Sequence, residues 1–207
     1  MKPGPNIIIE CPYCGQKAKQ RTLMSGNSLA STLWSDGKLV LPMLPELPVF
    51  TYCTSCEQFY YMHDAEEIGR EYPGKNSSGL WEHVDFIELP TFWEYYKALE
   101  IIPDKKYARI KLLHSYNDII REGRDKMITY EMHLLHFRNL YELLGLLDET
   151  VPGELIIKAE AYRNLGLFEK SELIINKITS KDLKTIKEKY LHQIKNKNKE
   201  LFVLFKN

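Results

Sequence analysis

Four cysteines in two Cys-x-x-Cys pairs, Cys11-Pro12-Tyr13-Cys14 and Cys53-Thr54-Ser55-Cys56, are the residues of this chain best suited to chemistry. Each short loop can present two thiolates to one ion, and four thiolates complete the tetrahedral shell that zinc prefers. Such a shell leaves no position for water or substrate, so the expected cofactor is one structural Zn²⁺ held by Cys11, Cys14, Cys53 and Cys56. A redox dithiol is the rival for either pair alone. It lacks the βαβ context of thioredoxin-type motifs, and two pairs together favour metal. A deaminase-type zinc would need a His-x-Glu motif upstream of Pro-Cys-x-x-Cys and an open coordination position, and neither is found.

The elements around the pairs read as a small β-rich unit. Ile7 to Glu10 forms a strand into the first cysteine turn, Val49 to Tyr52 a strand into the second, and Phe59 to Met62 a strand out of it. Strand, cysteine turn and strand, twice over, is the layout of a zinc ribbon. Residues 15 to 52 separate the pairs, more than a minimal ribbon needs. Asp36-Gly37, flanked by Leu33-Trp34 and Leu39-Val40-Leu41, predicts a two-residue hairpin in that interval. Gly15 suits a positive φ after the first pair; Glu57 stands in the same place after the second.

The fold class expected is α+β, a small β-rich zinc ribbon followed by an α-helical domain. Residues 1–70 form the ribbon, 71–90 a linker and extended segment, and 91–207 the helical domain. Tyr72 to Gly79, rich in glycine, serine and proline, marks the linker. Thr91 is an N-cap for a helix carrying Phe92, Tyr95, Tyr96 and Leu99. Pro103 opens the next helix, with Ile110, Leu113 and Ile120 at helical spacing, and another runs from Thr129 to Leu147. Helices follow over Glu154 to Leu165, Phe168 to Ile178, and Lys181 to Phe205.

Charge limits the partners. The 207 residues carry 28 basic and 28 acidic side chains, a formal net charge of zero. Lys17, Lys19 and Arg21 alternate along one strand near aromatics, a pattern that could meet a nucleic acid. The first 70 residues nonetheless hold more carboxylates than lysines and arginines, and four thiolates on one Zn²⁺ add a formal −2. That balance disfavours phosphate binding. Lys17, Lys19 and Arg21 are also near enough in sequence to offset the charge of the metal site. The lysines of 181–199 interleave with an apolar stripe, the pattern of a solvated helix face that could also meet an acidic ligand.

Other candidates are sparse. His133 and His136 sit three apart beside the apolar positions Phe137, Leu140 and Leu144, which reads as packing more readily than as ligation. His63-Asp64-Ala65-Glu66-Glu67 reads as the start of a short helix, with acids complementing its dipole. No catalytic constellation emerges, so no catalytic residue is assigned. An enzyme using His63, Asp64 or Glu67 at a site between ribbon and helices is the third reading, after a protein-binding adaptor and a nucleic-acid-associated ribbon. No segment is long and apolar enough to span a bilayer, and Met1 to Pro5 does not read as an export signal. The chain is read as cytoplasmic, with no membrane partner and no stated oligomeric order.

Tyr162, Gly166, Phe168, Ser171 and Ile178 resemble in order the inner part of a tetratricopeptide repeat, so one tetratricopeptide-like hairpin is expected near 154–179. Taken whole, the chain resembles uncharacterised bacterial proteins that join an N-terminal split zinc ribbon to a C-terminal tetratricopeptide-like helical domain. The features are Cys11-Pro12-x-Cys14-Gly15, the Trp34-Ser35-Asp36-Gly37 turn, and Cys53-x-x-Cys56 followed by aromatics. The resemblance implies zinc and a protein-binding role, with a protein or peptide as partner, and it supplies no established activity.

Overall fold

The computed structural model of the chain describes residues 1–72 and 80–207; the expected linker falls outside them except for Tyr72. Among the described residues, six α-helices and small antiparallel sheets give the α+β class expected. In chain order the strands are β1 Lys2–Pro3, β2 Asn6–Glu10, β3 Lys17–Gln20, β4 Leu23–Ser25, β5 Thr32–Trp34, β6 Leu39–Val40, β7 Phe50–Tyr52, β8 Phe59–Tyr61 and β9 Glu66–Glu71. The helices α1 Phe92–Ala98, α2 Lys105–Arg121, α3 Tyr130–Leu144, α4 Pro152–Asn164, α5 Phe168–Asn176 and α6 Lys184–Lys195 follow, and β10 Val203–Lys206 ends the chain.

Contacts divide these elements into two units. The first holds Met1–Ala30 and Leu41–Glu94, the second Ser31–Val40 and Tyr95–Asn207. Ser31–Val40 therefore groups with the helices, although the sequence places it between the two cysteine pairs.

In the first unit β2 is the central strand, antiparallel to β3 and β9. Its isoleucines explain that position: Ile8 and Ile9 are buried, and Ile9 packs with Cys11, Cys53, Tyr60 and Ile87. β7 and β8 form a second antiparallel pair, with the Tyr52 and Phe59 rings 4.9 Å apart. The helix expected from His63 to Glu67 does not form. Met62–Asp64 is a single 3₁₀ turn, and Glu66–Glu71 continues as β9 because Ile7 to Glu10 offers it a ladder. A charged edge strand of this kind also discourages further pairing. Lys19 bridges to residues 85–87, donating its N–H to the Asp85 carbonyl at 2.8 Å and accepting from Ile87 N–H at 2.8 Å.

In the second unit β5 lies between β6 and β10. The hairpin loop has three residues, Ser35-Asp36-Gly37, and not two: Trp34 N–H reaches the Lys38 carbonyl at 2.9 Å, and Gly37 takes φ +80°. A three-residue hairpin with glycine in the left-handed region is the next commonest solution after the two-residue turn. The last helix stops at Lys195, ten residues short of the expected Phe205. Asn196, Lys197 (φ +50°) and Asn198 turn the chain, and Val203–Lys206 becomes the strand antiparallel to β5. Apolar residues that would have lined a helix face instead fill the sheet side of the core, with Leu204 buried against Tyr190 and Ile194.

Helix starts follow their caps. Thr91 and Glu94 form a reciprocal box in which Glu94 Oε2 accepts Thr91 N–H at 2.7 Å. Asp104 accepts Tyr107 N–H at 2.9 Å and Thr129 accepts Met132 N–H at 3.2 Å. From α2 to α6 each helix packs on the next. One cluster joins Leu113, Leu140, Leu143, Leu147 and Ala161; another joins Leu155, Ile156, Ile174, Ile175, Tyr190 and Leu204.

The hairpin enters this unit with charge. Asp36 is fully buried, paired to Arg121, accepting Asn117 Nδ2 at 2.8 Å and Lys38 N–H at 3.1 Å. Ser35 donates to Glu160 at 2.8 Å, and Glu160 pairs with Arg163 at 2.7 Å, both of them wholly buried. Arg163 also donates to the carbonyls of Asn198 and Glu200, which fixes the chain on its way into β10.

Candidate metal centre

The two cysteine turns are near copies. In the first, Cys11 N–H donates to the Gln16 carbonyl at 2.9 Å and Gly15 N–H to the Cys11 carbonyl at 2.9 Å. In the second, Cys53 N–H donates to Gln58 at 2.9 Å and Glu57 N–H to Cys53 at 2.8 Å. Strands β2 and β7 carry the chain into these turns, and β3 and β8 carry it out. Both turns need a left-handed residue after the second cysteine, which is Gly15 (φ +72°) in one and Glu57 (φ +59°) in the other. Glutamate pays for this conformation with close contact of its Cβ, so identical backbones are held at unequal cost.

The turns bring all four sulfurs together within 4.8 Å of one another. Cys11 and Cys56 are 3.7 Å apart, as are Cys14 and Cys53, so each close pair joins one turn to the other. A tetrahedron of sulfurs about 2.3 Å from a central zinc has edges of about 3.8 Å. A disulfide would need about 2.05 Å, and all four cysteines are free. The arrangement can hold a metal ion. Cys11 and Cys53 are buried in the apolar cluster of Ile9, Tyr60 and Ile87, Cys56 is half-buried, and Cys14 is exposed.

Backbone amides, which carry no sequence signal, supply the polarity. The Gln16 N–H holds the Cys14 thiol down at about 7. Burial pushes the Cys11 thiol up, opposed by the N–H groups of Tyr13 and Cys14. Burial also pushes Cys56 up, to about 12, opposed by the Gln58 N–H. Burial and backbone donors thus set the three thiols apart, and four thiols this close cannot all ionise without a cation among them. Spacing reveals the sulfurs, but not the amides that aim at them.

The basic residues Lys17, Lys19 and Arg21 have partners of their own. Lys19 is buried and paired with Glu71 at 3.3 Å, Arg21 pairs with Glu88 at 2.7 Å, and Lys17 lies over the Trp81 ring at 5.2 Å. Arg21 and Lys19 also cover the Phe86 ring. Two of the three cations are thus matched by carboxylates more than fifty residues away.

The other candidates are dispersed. His63 and Asp64 are exposed and 3.4 Å apart, while Glu67 holds Arg70. His136 is buried and stacked on Tyr116 at 3.8 Å, and burial keeps it neutral down to about 3; His133 shares a hydrogen bond with the Tyr116 hydroxyl at 2.8 Å. Of the C-terminal lysines, Lys187 caps the carbonyls of Asn176 and Ile178, and Lys189 that of Leu204. An apolar cavity of about 660 Å³ opens in the first unit between Leu23, Leu47, Pro48, Ile87 and Leu89. In the second, a cavity of about 480 Å³ is lined by the charged groups of Lys105, Arg109, Arg138 and Glu142. No helix among the described residues is long and apolar enough to cross a membrane. No family model matches the chain, and neither the curated proteins nor the solved structures offer a match.

Proposed function

We propose that Cys11, Cys14, Cys53 and Cys56 hold one structural Zn²⁺ as a split zinc ribbon, and that the chain is a cytoplasmic, non-enzymatic adaptor for a protein or peptide partner. The spacing of the sulfurs carries the reading, since two 3.7 Å edges across the turns suit a tetrahedral four-thiolate shell and a closed shell supports folding without chemistry. Zinc bound there would fix the geometry of both turns; the chain's own contribution is the set of amide donors that favours thiolate over thiol. The tetratricopeptide-like reading is supported by α4 and α5, which pack on each other around buried Ser171, with Gly166 turning the chain between them. The resemblance to bacterial ribbon-and-repeat proteins points the same way.

The carboxylates on Lys19 and Arg21 weigh against the nucleic-acid reading, because phosphates would have to displace them. Elemental analysis of the purified full chain is expected to give about one zinc per chain. Iron, or no metal with the cysteines paired as disulfides, would refute the centre. For the adaptor role, the full chain should retain a stoichiometric protein partner after nuclease treatment. A polynucleotide that stays bound, and leaves as salt is raised, would overturn it.

A further inference from the structure

Helix α3 has two apolar faces. Met132, His136, Leu140 and Leu143 are turned into the second unit, which is the ordinary duty of an amphipathic helix. Tyr130, Leu134, Phe137 and Tyr141 recur at intervals of four, three and four. At about 100° per residue they fall within an arc of about 60° on the opposite side. Tyr130 is 78% exposed, Leu134 50% and Tyr141 59%; Phe137 is half-buried. A helix face turned to solvent should be polar, and this one carries the spacing of a coiled-coil seam over the whole length of the helix.

The charges beside the seam say what fits it. Glu131 flanks it near its start and Arg138 one heptad later on the same side, both exposed. Arg138 has Glu142 of its own helix at 2.8 Å, while among the described residues no cation pairs with Glu131. When two copies of α3 run antiparallel, Tyr130 meets Tyr141 and Leu134 meets Phe137. Glu131 of each then comes beside Arg138 of the other, twice across one two-fold axis. A parallel pairing would instead set His133 beside Arg138 and leave Glu131 without an opposite charge. The pattern is complementary to itself in one orientation only.

We infer that the outer face of α3 is a homodimer interface, in which two copies of this chain pair their α3 helices antiparallel through Tyr130, Leu134, Phe137 and Tyr141. The seam from Tyr130 to Tyr141 is about 17 Å long, so the interface is at the small end of specific contacts and the dimer should be weak, in the micromolar range. It is independent of the metal reading, since α3 belongs to the second unit and all four cysteines to the first.

Sedimentation equilibrium of the full chain, from low-micromolar to several-hundred-micromolar concentration, tests it. A monomer–dimer equilibrium is expected. Leu134→Glu, at a position already half exposed, should weaken dimerisation by at least about 100-fold while the far-UV circular dichroism stays that of the parent. Glu131→Arg and Arg138→Glu should each weaken it by roughly 3- to 10-fold, and the two together should restore it, because the pair is rebuilt across the axis. A chain that is monomeric throughout, or a dimer indifferent to Leu134→Glu, would overturn the interface, including the case in which the stripe captures another protein instead. A double charge exchange weaker than either single one would overturn the antiparallel pairing.

Discussion

The two units of this chain are held together by different means. In the first, strands of two to six residues surround a cluster in which Cys11 and Cys53 are themselves core side chains beside Ile9, Tyr60 and Ile87. In the second, helices of up to seventeen residues bury leucine, isoleucine and alanine in two clusters, and the polar cost is concentrated in Asp36, Arg121, Glu160 and Arg163. Short strands each bury little carbon against the entropy of ordering them, so coordination at the four sulfurs would add what the small cluster lacks. A helical array has carbon to spare and can tolerate buried ion pairs, which fix where an inserted segment sits more than they stabilise it. The metal would be to the first unit what the apolar clusters are to the second.

The largest expected effect breaks that comparison if it fails. Structural zinc contributes an apparent binding free energy of about 10–16 kcal/mol to folding near neutral pH. Stripping the metal with a chelator, or Cys53→Ser, should therefore unfold the first unit. Hydrogen exchange at Ile8 and Ile9 would rise to unprotected rates, while the helical circular dichroism of α2 to α6 should remain. Loss of both together would show that the second unit depends on the metal as well.

An intermediate effect concerns the hairpin between the cysteine pairs. Burial alone would push the Asp36 carboxyl up, but His114, Arg121 and Asn117 outweigh it and hold it below the usual carboxylate range. Asp36→Ala removes the anion and leaves the Arg121 guanidinium, 6% exposed, with Asp118, the His114 carbonyl and the Trp34 ring. Breaking a buried pair from one side costs about 3–5 kcal/mol. That loss should appear in the urea transition of the helices, although residue 36 lies between the metal ligands in sequence. Asp36→Asn/Arg121→Met should recover much of it, since removing both charges leaves neither uncompensated. A transition shifted only in the first unit would mean that the segment belongs with the ribbon after all.

What the sequence discloses about this molecule is local. Cysteine spacing, the Thr91 cap, the helix start near Thr129 and the turn at Asp36-Gly37 depend on neighbours within a few residues and are found where expected, whereas Pro103, expected to open α2, stands just before its Asp104 cap. Pairings over long separations are not written there. Nothing near Trp34 reveals that its strand partner is Val203, and the run Leu201 to Phe205 continues a helical stripe as readily as it makes a strand. The choice is made by Asn196 to Asn198, which stop the helix, and by an edge of β5 waiting for a partner. The same applies to the basic strand: the alternation of Lys17, Lys19 and Arg21 is plain, whereas Glu71 and Glu88, which neutralise two of them, become visible only when the chain is folded.

The smallest expected effect sharpens the comparison within the metal centre itself, between its two turns. Gly15 and Glu57 occupy equivalent left-handed positions, and a Cβ at residue 15 would meet nothing within 4 Å, so the difference between the turns is one of backbone strain and not of packing. Holding a residue other than glycine there costs about 1–2 kcal/mol. Replacing Glu57 by glycine removes that strain but returns about 0.4–1 kcal/mol of freedom to the unfolded chain. The balance favours Glu57→Gly by about 0.5 kcal/mol, or roughly twofold tighter metal retention in a competition with a chelator. Gly15→Ala should shift the same competition the other way by about the same factor, because it adds the strain that Glu57 already bears and takes the same freedom from the unfolded chain. Equal and opposite responses at the two positions would mean that the turns work as independent halves of one shell. A response at Gly15 alone would mean that the second turn has absorbed the strain of Glu57 in its surroundings, where Cys56 is half-buried and its counterpart Cys14 in the first turn is exposed.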